Sequence, residues 1–66
     1  MNEEDSVLGL LFKQMEEEKM ALTLVMIQGS LHDFAEYKLL SGKIHGLAVA
    51  QSLINGMAER LRKQNE

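Results

Sequence analysis

Residues 36–50 of the chain read EYKLLSGKIHGLAVA. The apolar residues in this stretch recur every three or four positions, which is the spacing of an amphipathic helix. The stretch also contains Gly42 and Gly46, although glycine inside a helix costs about 0.5–1 kcal/mol relative to alanine. These glycines and Ala50 lie one turn apart on one face. We therefore predict a bare strip of helix surface that allows another backbone to come close.

A local break at Ser41 and Gly42 is the alternative explanation of the same glycines. It would divide the segment into two shorter helices. We favour a continuous helix because the apolar rhythm runs through both glycines.

The remainder of the chain also predicts helices. The 66 residues include no proline, and no window shows sustained alternation of apolar and polar residues, which argues against strands. We predict one all-α domain over residues 1–66, with a helix over about 3–28, a turn at about 29–30 and a helix over about 31–63. A connection of two to four residues favours an antiparallel hairpin.

The ends of the two helices are predicted from capping residues. Asn2 is the candidate N-cap of the first helix, and Ser6 is the alternative. Gly29 suits the left-handed conformation past a helix end. Ser30 is the predicted N-cap of the second helix, with Asp33 three residues on as in an acidic capping box.

Apolar stripes indicate which faces are covered. The first helix carries one stripe, interrupted at Glu18, which we expect at the edge of the stripe or paired with a basic residue. This stripe comprises Leu8, Leu11, Phe12, Met15, Leu22, Val25 and Met26. The second helix carries a heptad-like main stripe, as in a coiled coil, made of Tyr37, Leu40, Ile44, Leu47, Gln51, Ile54, Ala58 and Leu61. Its second stripe comprises Leu39, Gly42 or Gly46, Val49 or Ala50, Leu53 and Met57.

A helix that is apolar on two sides needs two partners. One side can cover the first helix, and the other requires a further partner. A chain of about 60 residues buries only about 60% of its unfolded surface. The sequence contains no cysteine for a disulfide. We therefore predict self-association into a helical bundle, most simply a homodimer. The candidate interaction residues are Tyr37, Leu40, Gly42, Ile44, Gly46, Leu47, Ala50, Leu53 and Met57.

No catalytic, cofactor-binding or metal-binding residues are predicted. His32 and His45 lack the close spacing of a metal pair on one helix, and His32 with Glu36 would supply only two ligands. The net charge of −3 argues against nucleic acid, which usually leaves a basic footprint. The strongest apolar run, residues 20–27, is far short of a bilayer span. We predict a non-enzymatic protein with no cofactor and no membrane contact.

The pattern FAEYxxLxGxIxGLxxA over residues 34–50, continuing to Arg60 and Leu61, resembles one found in short helical proteins of tailed bacteriophages. The resemblance covers roughly residues 34–62, and the paired glycines are its distinctive part. Most members of that group have no defined activity, so no catalytic residue is carried over. The resemblance implies a phage origin and a small helical protein that acts by contact.

Three functions follow as hypotheses. The first is a structural or assembly component of the virion, in contact with itself or with other virion proteins. The second is a module that binds and modulates a host protein. The third is an RNA-binding helical hairpin dimer, against which the charge balance argues. We expect the protein in the host cytoplasm and, if the first hypothesis holds, in the virion.

Overall fold

The computed structural model describes residues 6–29 and 32–64, which form two helices. Helix α1 spans Val7–Ile27 and helix α2 spans Phe34–Gln64. The helices are antiparallel, because Gln51 contacts Phe12 and Glu16, both in the first half of α1. The described part of the chain measures 51 by 17 by 12 Å. The prediction of an all-α antiparallel hairpin is confirmed.

Helix α1 begins after Ser6. This residue is extended, with φ −82° and ψ 159°, and its hydroxyl accepts a hydrogen bond from the amide of Gly9 at 2.9 Å. Ser6 is therefore the N-cap, the position that we had offered as the alternative to Asn2. A helix running through Ser6 from residue 3 is excluded by the extended backbone there. Asn2 and the predicted first turn lie outside the described residues.

Gly29 ends the first helix as predicted. Its φ of +69° lies in the left-handed region, where a side chain would be strained. The backbone amide of Gly29 donates to the carbonyl of Met26 at 3.2 Å. The backbone amide of Gln28 donates to the carbonyl of Leu24 at 2.9 Å. These bonds satisfy carbonyls that the helix end would otherwise leave open.

Helix α2 begins three residues later than predicted, so the connection covers residues 28–33. The carboxylate of Asp33 accepts from the amide of Glu36 at 2.8 Å, and the carboxylate of Glu36 accepts from the amide of His32 at 2.7 Å. Asp33 therefore takes the N-cap role that was predicted for Ser30, and Glu36 reaches one residue further back than in a capping box, to His32. Ser30 itself lies outside the described residues.

The main stripe of α2 faces α1. Its half-buried members are Leu40, Ile44, Leu47, Ile54 and Ala58, with Gln51 buried among them. From α1, the half-buried side chains are Leu8, Phe12, Met15, Lys19, Leu22 and Met26. We call these two rows the seam.

Four residues predicted on the seam lie outside it. Tyr37 and Leu61 at the ends of the α2 stripe are exposed, as are Leu11 and Val25 of α1. Two helices that meet along one line cover only a narrow strip of each, so residues at the edge of a broader apolar stripe stay in water. Lys19 occupies the seam where the stripe is interrupted, and Glu18 is exposed beside it.

Helix α2 is continuous through Gly42 and Gly46, so the alternative of a break at residues 41–42 is wrong. A Cβ atom built on either glycine would meet no atom within 4 Å. The packing of α1 on α2 therefore does not require either glycine.

The hairpin has almost no interior. Among the described residues no apolar side chain is fully buried, and the buried residue is the polar Gln51, which is 4% exposed. Within residues 6–29 and 32–64, fourteen large apolar or aromatic side chains are exposed. Two helices side by side remove one strip of each from water and leave the other apolar strip uncovered.

Candidate interaction surface

The hairpin has two broad faces, one on each side of the seam. A shallow groove on one face is lined by Glu18, Leu22, Lys43, Gly46 and Leu47. This groove places the Glu18 side of α1 and the Gly46 side of α2 on the same broad face. The other residues of each helix are assigned to one face or the other from the helical period of 3.6 residues per turn.

We call the face that contains Glu18 and Gly46 the apolar face. Its α2 residues follow the four-three spacing of a helix contact: Leu39, Lys43, Gly46, Ala50, Leu53, Met57 and Leu61. Its α1 residues follow the same spacing: Val7, Leu11, Gln14, Glu18, Ala21 and Val25. Leu53 is 68% exposed and Leu39 is 59% exposed. The face is therefore apolar along most of its length and is interrupted near its middle by Glu18 and Lys43.

We call the opposite side the polar face. Away from the turn it carries a second groove, whose floor is apolar and whose rim is charged or polar. The floor includes Leu8, Phe12, Ile54 and Ala58, and the rim includes Lys13, Glu16, Asn55, Glu59 and Arg62. Arg62 and Glu59 form an exposed ion pair at 3.6 Å. The charges on this face are solvated and contribute little stability individually.

An aromatic patch interrupts the polar face near the turn. The rings of Phe34 and Tyr37 lie 6.1 Å apart and stack at 14°. The ammonium of Lys38 lies 5.5 Å from the centre of the Phe34 ring. These contacts order the first turn of α2 and leave both rings largely in water, with Phe34 at 70% exposure.

The nine predicted interaction residues are divided among different environments. Leu40, Ile44 and Leu47 belong to the seam and are half-buried against α1. Tyr37 lies on the other side of the seam with Phe34. Gly42 lies at the outer edge of α2. The residues that the structure brings together on the apolar face are Gly46, Ala50, Leu53 and Met57.

A polar cluster at the middle of the seam has no counterpart among the predicted sites. The amide of Gln51 donates to a carboxylate oxygen of Glu16 at 2.8 Å and to the carbonyl of Phe12 at 3.2 Å. Lys19 forms an ion pair with the same Glu16 oxygen at 3.2 Å. The spacing Glu16-x-x-Lys19 predicts only the ion pair within α1. The contact between Gln51 and Glu16 could not be predicted from the sequence, because it depends on the register of α2 on α1.

The cluster lowers the pKa of Glu16 below its ordinary value of 4.5. The main cause is the hydrogen bond from Gln51, followed by the hydrogen bond and the charge of Lys19, while partial desolvation opposes the shift. The cluster joins the two helices. Both hydrogen bonds of Gln51 cross the seam, and the ion pair with Lys19 positions the Glu16 carboxylate that accepts one of them.

Within the described ranges, no three potential ligands come together as a metal site. His32 and Glu36 are neighbours, but the contact runs from the His32 backbone amide to a Glu36 carboxylate oxygen. A search of the same residues identifies no helix with the length and hydropathy of a bilayer span.

Comparisons of the chain with protein-family models, with curated proteins and with solved structures found no significant match.

Proposed function

We propose that the protein is a non-enzymatic helical module that acts by protein–protein contact through its apolar face, as an assembly component of a phage particle. One observation carries the contact function. The described hairpin buries no apolar side chain fully, while one broad face keeps large apolar side chains in water on both sides of its middle.

The energetic argument rests on that face. Each Å² of apolar surface left in water forgoes about 25 cal/mol of stabilisation. Monomeric proteins rarely expose contiguous apolar patches beyond a few hundred Å². A partner that covers the face therefore stabilises the hairpin itself, so binding and folding of this chain are coupled.

Self-association supplies such a partner without a second gene product. Two hairpins that meet face to face form a four-helix bundle, in which each second stripe of α2 gains a neighbour. The surfaces of the bundle that remain exposed are then available for other virion proteins.

The assignment to a phage particle is supported by the sequence pattern over residues 34–62 described above. In the structure, Leu40, Ile44 and Leu47 of that pattern pack in the seam, whereas its glycines have open space above them and do not pack against α1. Exposed glycines that the hairpin itself does not need suit a protein selected for its contacts. The proposed location is the host cytoplasm during assembly and the virion afterwards.

The test is a fractionation of particles from cells that produce the encoding phage. Mature virions and assembly intermediates are separated on density gradients, and peptides of this chain are quantified by mass spectrometry. We expect a fixed copy number in at least one particle fraction. Absence from every particle fraction overturns the assembly role, and recovery with one host protein at equal stoichiometry supports the modulator hypothesis instead.

A further inference from the structure

The apolar face matches a second hairpin in size. The described chain is 51 Å long and 17 Å wide, so a broad face has an outline of about 870 Å², and a specific stable interface buries about 800 Å² per partner. An isolated helix or an extended peptide would cover only part of that width. A second copy of the chain covers the whole of it.

The two charges on the middle of the apolar face distinguish the possible orientations. Glu18 of α1 and Lys43 of α2 line the same groove and lie about one helical turn apart along the hairpin, because the contacts of Gln51 with residues 12 and 16 place Glu18 beside residue 47. Gly46 lines this groove too, and the space above it is open. A second backbone can therefore approach at the level where the two charges project.

A face-to-face contact between two identical hairpins can follow either of two symmetry axes in the plane of the interface. An axis along the hairpin places α1 of one copy on α2 of the other at the same level. Each Glu18 then lies within about one turn of the other copy's Lys43, within reach of its long side chain, and the contact contains two opposite-charge pairs. The turns of both copies lie at the same end.

An axis across the hairpin places α1 on α1 and α2 on α2, with the turns at opposite ends. Full overlap puts this axis at the middle of α2, near residue 49. Because Gln51 lies against residues 12 and 16, Glu18 lies within about one turn of this axis. This arrangement brings the two Glu18 carboxylates towards each other, and like charges in an interface are unfavourable.

We infer that a second copy of this chain covers the apolar face with its long axis parallel to the first and both turns at the same end, so that Glu18 and Lys43 pair twice between the copies. The apolar side chains supply the affinity. The two Glu18–Lys43 pairs select the orientation. Paired charges add little net affinity because they lose water on binding, whereas facing carboxylates in the other orientation are penalised.

This inference rests on one part of the proposed function, namely that the apolar face is a contact surface. The particle experiment and the solution experiment are separate. A dimer in solution together with absence from particles overturns the assembly role alone, whereas a monomer in solution overturns this inference and leaves the assembly role to the particle data.

The first measurement is the distance between the two turns. The chain has no cysteine, so Gln28→Cys gives one exposed attachment site for a spin label beside the turn. Sedimentation of the labelled protein first establishes the dimer. With helix axes 8–10 Å apart, the parallel dimer predicts a distance of about 10–30 Å between labels. A distance near the 51 Å length of the hairpin overturns the inferred orientation. Dilution with unlabelled chain is the control and must remove the signal.

The second measurement uses charge variants of the full chain. In the inferred dimer, Glu18→Gln removes two opposite-charge pairs and weakens dimerisation by roughly two- to thirtyfold. In the crosswise dimer the same variant removes a repulsion and strengthens dimerisation. Glu17→Gln, an equal change of charge at the adjacent exposed position, is the control.

Exchange of the two charges completes the test. Glu18→Lys and Lys43→Glu should each weaken the dimer more than Glu18→Gln, and the double variant should recover most of the original affinity. Single variants that weaken the dimer without recovery in the double variant contradict the pairing. Circular dichroism of each variant distinguishes loss of pairing from loss of helix.

Discussion

The two broad faces of the hairpin are built by the same two helices and differ in what they present. On the apolar face, Leu39, Leu53 and Met57 of α2 are exposed, with one charge from each helix near the middle. The polar face also exposes Phe34 and Tyr37 near the turn, but away from the turn it presents charged and amide side chains around its groove, and beside it Gln51 joins α2 to Glu16. A partner that covered the apolar face would therefore remove more apolar surface and fewer charges from water than one that covered the polar face.

The largest expected effect comes from a charge on the apolar face. Met57→Glu should weaken dimerisation by about a hundredfold or more, because a charged group replaces an apolar one in both copies and loses water on binding. The measurement is the dissociation constant by sedimentation or native mass spectrometry. Asn55→Glu makes the same change of charge on the polar face. Equal effects of the two variants would remove the distinction between the faces.

A bulky side chain on the glycine strip should have the next largest effect. Gly46→Leu should disrupt assembly by about 1–3 kcal/mol, since the added side chain prevents close approach at the apolar face. Gly56→Leu is a matched control, because both glycines lie inside α2 and neither has an atom within 4 Å of a built Cβ. If both variants assemble normally, the strip is an exposed surface with no close contact.

Removal of the joint between the helices should lower stability and leave the choice of face unchanged. Gln51→Ala removes the hydrogen bonds to Glu16 and Phe12 and should reduce the free energy of unfolding by about 1–2 kcal/mol. Chemical denaturation at fixed protein concentration measures the change, and Ser52→Ala is the exposed neighbouring control. A variant as stable as the parent would show that the cluster contributes no net stability.

The smallest effect is a dependence of stability on acid. The pKa of Glu16 is lowered in the folded chain, so its contribution is present above the ordinary value of 4.5 and is lost as the pH falls through the folded-state pKa. Glu16→Gln should remove this component from thermal unfolding curves recorded across that window, whereas Glu17→Gln serves as a control for charge. An unchanged acid dependence in Glu16→Gln would place the effect on other carboxylates.

The details of the seam show where sequence reasoning stops. The stripe of α1 was expected to include Leu11 and Val25, but both are exposed because α2 covers only one narrow strip. Lys19 lies in the seam although its residue type predicts exposure, because position 19 continues the four-three spacing of the half-buried residues, and its ammonium pairs with Glu16. Periodicity alone does not show how wide a strip of α1 is covered, because periodicity describes one helix at a time.

The helix ends show a similar limit at short range. Gly29 was predicted correctly because the left-handed conformation is rarely open to other residues. Several residues near each helix start can serve as an N-cap, and the structure selects Ser6 for α1 and Asp33 for α2. For Asp33, the presence of Glu36 three residues later is a signal that a helix starts here, although the Glu36 carboxylate accepts from His32 and not from Asp33.

The sequence by itself determined two helices, the glycine that ends the first, and two apolar stripes on the second. These features depend on backbone preferences and on a period of 3.6 residues, which are local properties of the chain. The tertiary structure alone decided which stripe of α2 faces α1, and which therefore stays open for a partner. It also placed Gln51 against Glu16, 35 residues away. Both depend on the rotation and the register of one helix on the other, which side-chain packing across the seam sets.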